Sequence, residues 1–118
     1  MRQWMVDPRI MCRQHLLGEH VEHHMFVGSI NKGTSMDGYL RDGLLEPESL
    51  RVRHSELVAE MEARGYNHKS PLPDYILIGE PAIIDREVSK AELLRRCPEC
   101  RERAERLYSG GLLPRRIA

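Results

Sequence analysis

MRQWMVDPRIMCRQHLLGEHVEHHMFVGSINKG, Met1 to Gly33, is the stretch on which the reading of this chain turns. Asp7-Pro8 has the form of a helix start, an N-cap residue followed by proline at the first helical position. The residues after it predict one long helix that ends near Asn31-Lys32-Gly33. On a 100° wheel, Ile10, Leu17, Val21, Met25 and Gly28 form one stripe, expected to face the core. His15, Glu19, Glu22 and Phe26 form a second stripe, offset by roughly a third of a turn or more, and this face is expected to carry function. A helix rises about 1.5 Å per residue, which puts Glu22 roughly 20 Å along it. The seven residues before Pro8 can stretch to about 23 Å. An N-terminal arm folded back along the helix can therefore bring the α-amine of Met1 to the Glu22 carboxylate. Amines form Schiff bases, and a carboxylate beside one can stabilise the iminium or shuttle protons.

Outward from this segment the pattern stays helical. Thr34 to Gly43 reads as a glycine-rich connection, with turns at Asp37-Gly38 and Asp42-Gly43. Pro47 opens a second helix whose apolar side is Leu50, His54, Leu57, Val58 and Met61, with Gly65 just past its end. Tyr75 to Ile78 and Ala82 to Ile84 are too short to decide between strand and loop. They are read as ordered loop packed on the helices. Ser89 to Glu92 has capping-box spacing and starts a third helix, which Pro98 should kink or split near Cys97. The expectation is an all-α, compact three-helix single domain with long connecting loops, spanning residues 1–118.

The 118 residues include one Phe, one Trp and four Tyr, enough for a modest core. No apolar run approaches the ~18 residues of a membrane span, and MRQWMVD lacks the hydrophobic stretch of a secretory signal. A cytoplasmic protein is expected. Lys and Arg number 18, as do Asp and Glu. That balance argues against strong non-specific DNA binding, which relies on releasing counterions from phosphates. The distribution is uneven, however, with seven arginines against three glutamates from Arg95 to Ala118. This is either a local basic patch or a solvated helix of mixed charge.

The N-terminal segment resembles the first helix of the phage pyrimidine-dimer DNA glycosylases, the small repair enzymes also called endonuclease V. The matching residues are Gln14, His15, Leu16, Glu19, Glu22 and Gly28, in an ungapped register that puts Met1 and Arg2 on the family's N-terminal pair. A second block, LRVRHSELVAEMEARGYN (Leu50 to Asn67), shares Leu50, Arg51, Arg53, Glu56, Leu57, Ala59, Glu60, Arg64, Gly65 and Asn67 with the family. The resemblance implies a DNA glycosylase with abasic-site lyase activity. Met1 supplies the attacking amine and Glu22 the assisting carboxylate, with Arg2, Gln14, His15 and Lys32 on the DNA. An α-amine has an ordinary pKa of about 7.7–8.0, so a useful fraction is neutral near pH 7. The family exposes the amine of a small residue by removing the initiator methionine. Here Arg2 is bulky, so Met1 is expected to be retained and to be the nucleophile itself. The implied partner is damaged double-stranded DNA, bound by a monomer without a cofactor. Two family arginines that flank the glutamate are replaced by Val21 and Met25. The family's basic, aromatic tail is reduced to Tyr108 and Arg115-Arg116. These losses leave another damaged, modified or abasic nucleotide as an alternative to the pyrimidine dimer.

Other constellations point elsewhere. His20 and His24 are spaced i, i+4, a chelating spacing. Cys97-Pro98-Glu99-Cys100 is a single C-x2-C. A full zinc site would need Cys12 or a histidine brought in by the fold, and buried or solvated thiols are the expected state. No metal is assigned to the site. A thioredoxin-like role is disfavoured because no βαβ pattern surrounds the motif. The alternative function is a non-catalytic helical nucleic-acid-binding module, zinc-stabilised or not. A weaker third reading is a metal-dependent hydrolase on the His/Glu face, which a chelator would inhibit.

Overall fold

The computed structural model describes residues 1–68, 70–77 and 79–110. Arg115 and Arg116 of the sequence reading lie outside these residues, as does Ile78. Five helices follow in order: α1 (Arg13–Asn31), α2 (Asp37–Arg41), α3 (Leu50–Ala63), α4 (Arg86–Arg96) and α5 (Pro98–Tyr108). One-turn 3-10 helices sit at Pro8–Ile10 and Pro47–Ser49. Among the described residues there is no strand, so the all-α, single-domain expectation holds. Three of its details change. The connection after α1 contains the short α2. The third helix is two helices, because Cys97 is extended (φ −118°, ψ 107°) and Pro98 begins a new one. And α4 starts a turn before Ser89, capped by Asp85, whose side chain accepts from the Glu87 and Val88 N–H groups.

The start of α1 also differs from expectation. Asp7 caps only the 3-10 turn, and the chain is extended at Met11 and Cys12 before the helix begins. Arg64, the residue that caps the end of α3, holds this segment: it donates to the Pro8 carbonyl (3.0 Å), which also accepts the Met11 N–H of the 3-10 turn, and to the Met11 carbonyl (2.7 Å). Cys12 becomes the cap of α1, its Sγ accepting from the His15 N–H.

Of the stripe expected to meet the core, Ile10 is buried and Leu17 packs against the core, but Val21 and Met25 point to solvent. Val21 and Met25 are 54% and 50% exposed, while Leu16, Glu19, His20, His23, Phe26 and Val27 are buried. The misreading has a physical origin, because the α1–α3 interface is built around polar groups. Arg53 of α3 grips the Glu19 carboxylate with two hydrogen bonds, Nε to Oε2 at 2.6 Å and Nη2 to Oε1 at 2.9 Å. Both side chains are almost fully buried (2% and 0% exposed). Arg53 also donates to the Val6 carbonyl at 2.7 Å. Beside this pair, the rings of His20, His24, His54 and His68 pack with centroids about 5 Å apart.

Two apolar clusters flank this polar seam. One joins Trp4, Ile10, Leu16 and Leu57 to Leu93 and Ala104 of the last two helices. The other centres on Phe26, Leu45, Leu50 and Leu72. Leu72 and Ile84 are buried while Ile76 and Ile83 are exposed, as befits loop laid over helices.

Candidate active site

The N-terminal arm runs back along α1, as the reach argument requires. The Arg2 backbone N–H donates to Glu22 Oε2 at 3.1 Å. One residue on, the buried Gln3 donates from its side-chain amide to His23 Nε2 (3.2 Å). His23 Nδ1 lies 2.8 Å from the Glu19 carbonyl and so carries the ring proton, leaving Nε2 as acceptor. Gln3 Oε1 accepts from the Glu46 N–H, and the Gln3 N–H donates to the Leu44 carbonyl at 2.8 Å. Ser89 of α4 donates its hydroxyl to the Trp4 carbonyl. The arm is thus clamped by α1, α4 and the segment before α3. These bonds also hold Met5 in the left-handed region (φ 55°), which costs a non-glycine residue about 1–2 kcal/mol.

Covalent geometry places the Met1 α-amine no more than about 3.7 Å from the Arg2 nitrogen, hence within about 7 Å of the Glu22 carboxylate. An open cleft of about 420 Å³ lies there, lined by Met1, Arg2, Trp4, His15, Glu22, Leu44 and Arg96. Its walls are cationic. The Arg2 guanidinium stacks on the Trp4 ring at 3.7 Å and reaches Ser89 Oγ at 3.3 Å, while Arg96 lies 5.9 Å from the same ring. Burial, then the nearby Arg96, lowers the Arg2 pKa from its ordinary value. Burial likewise lowers His15, with the Glu22 charge opposing. His15 packs edge-on to Trp4 at 5.8 Å.

Four of the six residues singled out in the sequence therefore meet: Met1, Arg2, His15 and Glu22. Gln14 is exposed on the first turn of α1. Lys32 is exposed beyond its last turn, about 15 Å along the axis from Glu22, and does not line the cleft. Glu19 and Phe26, placed on the functional stripe, are buried in the core. Trp4, Leu44 and Arg96 were missed. The signals for two of them were present: a lone tryptophan three residues from the terminus, and an arginine in the basic C-terminal segment. Nothing in the sequence marks Leu44.

Among the described residues, two groups of side chains have metal-ligand chemistry: Cys12, His15, Cys97 and Cys100, and His20, His54 and His68. The i, i+4 pair His20 and His24 contributes only His20 to the second group.

The chain is all-α, with its first residues docked on a helix carboxylate at a cleft walled by arginines. The family model for pyrimidine dimer DNA glycosylases matches residues 1–74, more than half of the chain. The chain belongs to that family, which gives it a DNA glycosylase role with DNA as its substrate. Neither the curated proteins nor the solved structures give a match.

Proposed function

We propose that this chain is a glycosylase and abasic-site lyase for pyrimidine dimers or other damaged bases, acting through the Met1 α-amine with Glu22 assisting. The observation that carries this reading is the Arg2 N–H bond to Glu22, which keeps the first residue against that carboxylate. The neutral amine attacks C1′ of the damaged nucleotide as the N-glycosidic bond breaks. The base leaves with the bonding pair and takes up a proton. Loss of one amine proton, and opening of the sugar with O4′ taking up a proton, leave an iminium joining Met1 to C1′ that keeps one N–H. Glu22 stabilises that cation and accepts a proton from C2′, and β-elimination expels the 3′ phosphate. Water then hydrolyses the imine and frees the amine.

Arg2 and Arg96 at the cleft are suited to the flanking phosphates, with Gln14 and His15 beside them and Lys32 touching the duplex further along. The exposed Val21 and Met25 lie on the face of α1 next to Glu22, within one turn of it. They offer apolar surface to bases unstacked when the target nucleotide is extruded, a step costing a few kcal/mol. The enzyme is taken to act as a monomer.

Borohydride trapping tests this reading. Duplexes carrying an abasic site or a cis-syn thymine dimer are incubated with the protein without added metal, reduced and digested, and the adduct is located by mass spectrometry. The expected adduct is on the Met1 nitrogen. A two-residue extension ahead of Met1 displaces the amine by up to about 7 Å and should abolish it. Trapping on abasic DNA alone keeps the lyase and leaves the natural lesion to be another base. An adduct on a lysine, or none on either duplex with the terminus free, removes the proposal in favour of the binding-module alternative.

A further inference from the structure

The three cysteines and His15 belong to elements far apart in sequence, yet their ligand atoms converge. Cys12 Sγ, His15 Nδ1, Cys97 Sγ and Cys100 Sγ all lie within 4.8 Å of one another. Cys12 and Cys97 sulfurs are 3.8 Å apart, and His15 Nδ1 is 3.2 Å from Cys12 Sγ and 3.7 Å from Cys100 Sγ. A disulfide needs about 2.05 Å, so no pair of these thiols is bonded, and an odd thiol would remain if one were. A tetrahedral zinc with Zn–S of about 2.3 Å and Zn–N of about 2.0–2.1 Å has edges near 3.8 Å between sulfurs and near 3.6 Å from sulfur to nitrogen. The observed separations straddle those values.

The backbone repeats the same arrangement twice. Cys12 caps α1, and His15 follows three residues later on its first turn. Cys97 caps α5, and Cys100 follows three residues later on its first turn. Two helix N-termini therefore point their positive ends at one spot. Three backbone N–H groups already aim at the sulfurs: Cys12 to Cys100 Sγ (3.2 Å), His15 to Cys12 Sγ (3.4 Å) and Cys100 to Cys97 Sγ (3.4 Å). Zinc with three thiolates and a neutral imidazole carries net charge −1. N–H donors and helix N-termini are the partners that such a centre requires.

We propose that Cys12, His15, Cys97 and Cys100 form a structural zinc site. The four ligands fill a tetrahedral shell and the three sulfurs are buried, so no position is open for a water or substrate. The ion ties the start of α1 to the start of α5. It thereby joins residues 1–74, which match the family, to a helix beyond them. It also constrains the cleft. With Nδ1 on the metal, His15 keeps Nε2 as its one remaining ring nitrogen, protonated and a donor. His15 then offers the cleft a fixed N–H rather than a base.

Cobalt(II) titration of the reduced, metal-free protein, with no DNA present, tests this separately from any cleavage. The expected result is one equivalent bound with a near-ultraviolet sulfur-to-cobalt charge-transfer band and the intense visible bands of tetrahedral cobalt. Zinc should displace it and bleach both. Cys100→Ser should lose the charge-transfer intensity. His15→Cys, which keeps four ligands, should retain tetrahedral bands. Since a ligand variant can fail to fold, wild-type protein supplies a second readout, in which zinc blocks all three thiols against alkylation. Cobalt bound without the sulfur band would place it on His20, His54 and His68 and overturn the proposal. So would folded, reduced protein that binds no metal.

Discussion

Replacing Glu22 by Gln removes a charge while keeping the shape and an oxygen that accepts the Arg2 N–H, so the arm should stay docked. If Glu22 acts on the iminium and its protons, single-turnover cleavage of abasic DNA should fall by roughly 10²–10⁴, the usual worth of a positioned acid or base. Affinity for the same duplex should change little. Cleavage by Glu22→Gln within tenfold of wild type would show that the carboxylate only positions the arm. Glu22 was legible because it sat on a helix within reach of a free amine. Arg96 was not, because nothing in the local sequence ties α4 to the N-terminal arm. The link is the Trp4 ring, which carries the Arg2 guanidinium at 3.7 Å and has Arg96 at 5.9 Å, and it depends on the arm delivering Trp4 there.

Among the elements, α1 and α3 are joined through the Glu19–Arg53 pair, and here charge removal should be costly. Glu19→Gln takes the buried carboxylate from Arg53 and leaves it only the half-exposed Glu56 as counter-ion (3.2 Å), a change expected to cost about 3 kcal/mol. Glu19→Leu combined with Arg53→Met should recover most of that loss, because packed apolar side chains replace buried ion pairs at little net cost. Denaturant midpoints of the two proteins check this. Equal destabilisation by the single and double changes would mean that the Val6 carbonyl contact, not the charge, holds the seam. The pair also explains why periodicity misplaced α1. A wheel assigns the interior to apolar residues, and this helix gives interior positions to Glu19, His20 and His23.

The whole molecule should lose stability on mild acidification. Burial, then repulsion from neighbouring histidines (His54 and His24 for His20, His24 and His68 for His54), lowers both His20 and His54 to about 4. An unfolded chain protonates its histidines near 6.5. Above that pH both states hold neutral rings and the full stability remains. As pH falls from about 6.5 towards 4, the unfolded chain takes up protons that the folded chain refuses, and stability drops. The Nε2 atoms of His20, His24 and His54 are buried without hydrogen-bond partners among the described residues, so the fold offers nothing to a proton there. Thermal melts on metal-stripped protein should show a midpoint at pH 5 lower than at pH 7 by about 5 °C or more. A midpoint unchanged over that range would mean that the cluster opens to water and titrates normally.

Sequence alone was sufficient for properties that depend on nearest neighbours along the chain. Helix segments follow from caps, prolines and residue preference, so the all-α class and the break at Pro98 could be read directly. Chain length and helix rise showed that a folded-back arm could reach Glu22, while contacts to His23, Leu44, Glu46 and Ser89 decided that it does fold back. Tertiary structure decided what depends on partners far away. It set the true start of α1, where Arg64 claims two carbonyls from 53 and 56 residues away. It turned Val21 and Met25 outward, because a buried ion pair needed the other face. It also brought Cys97 and Cys100 to Cys12 and His15, across 85 residues or more for the sulfur contact and the thiol–imidazole contact alike. A single C-x2-C carries half a ligand set, and only packing α5 against the start of α1 supplies the rest.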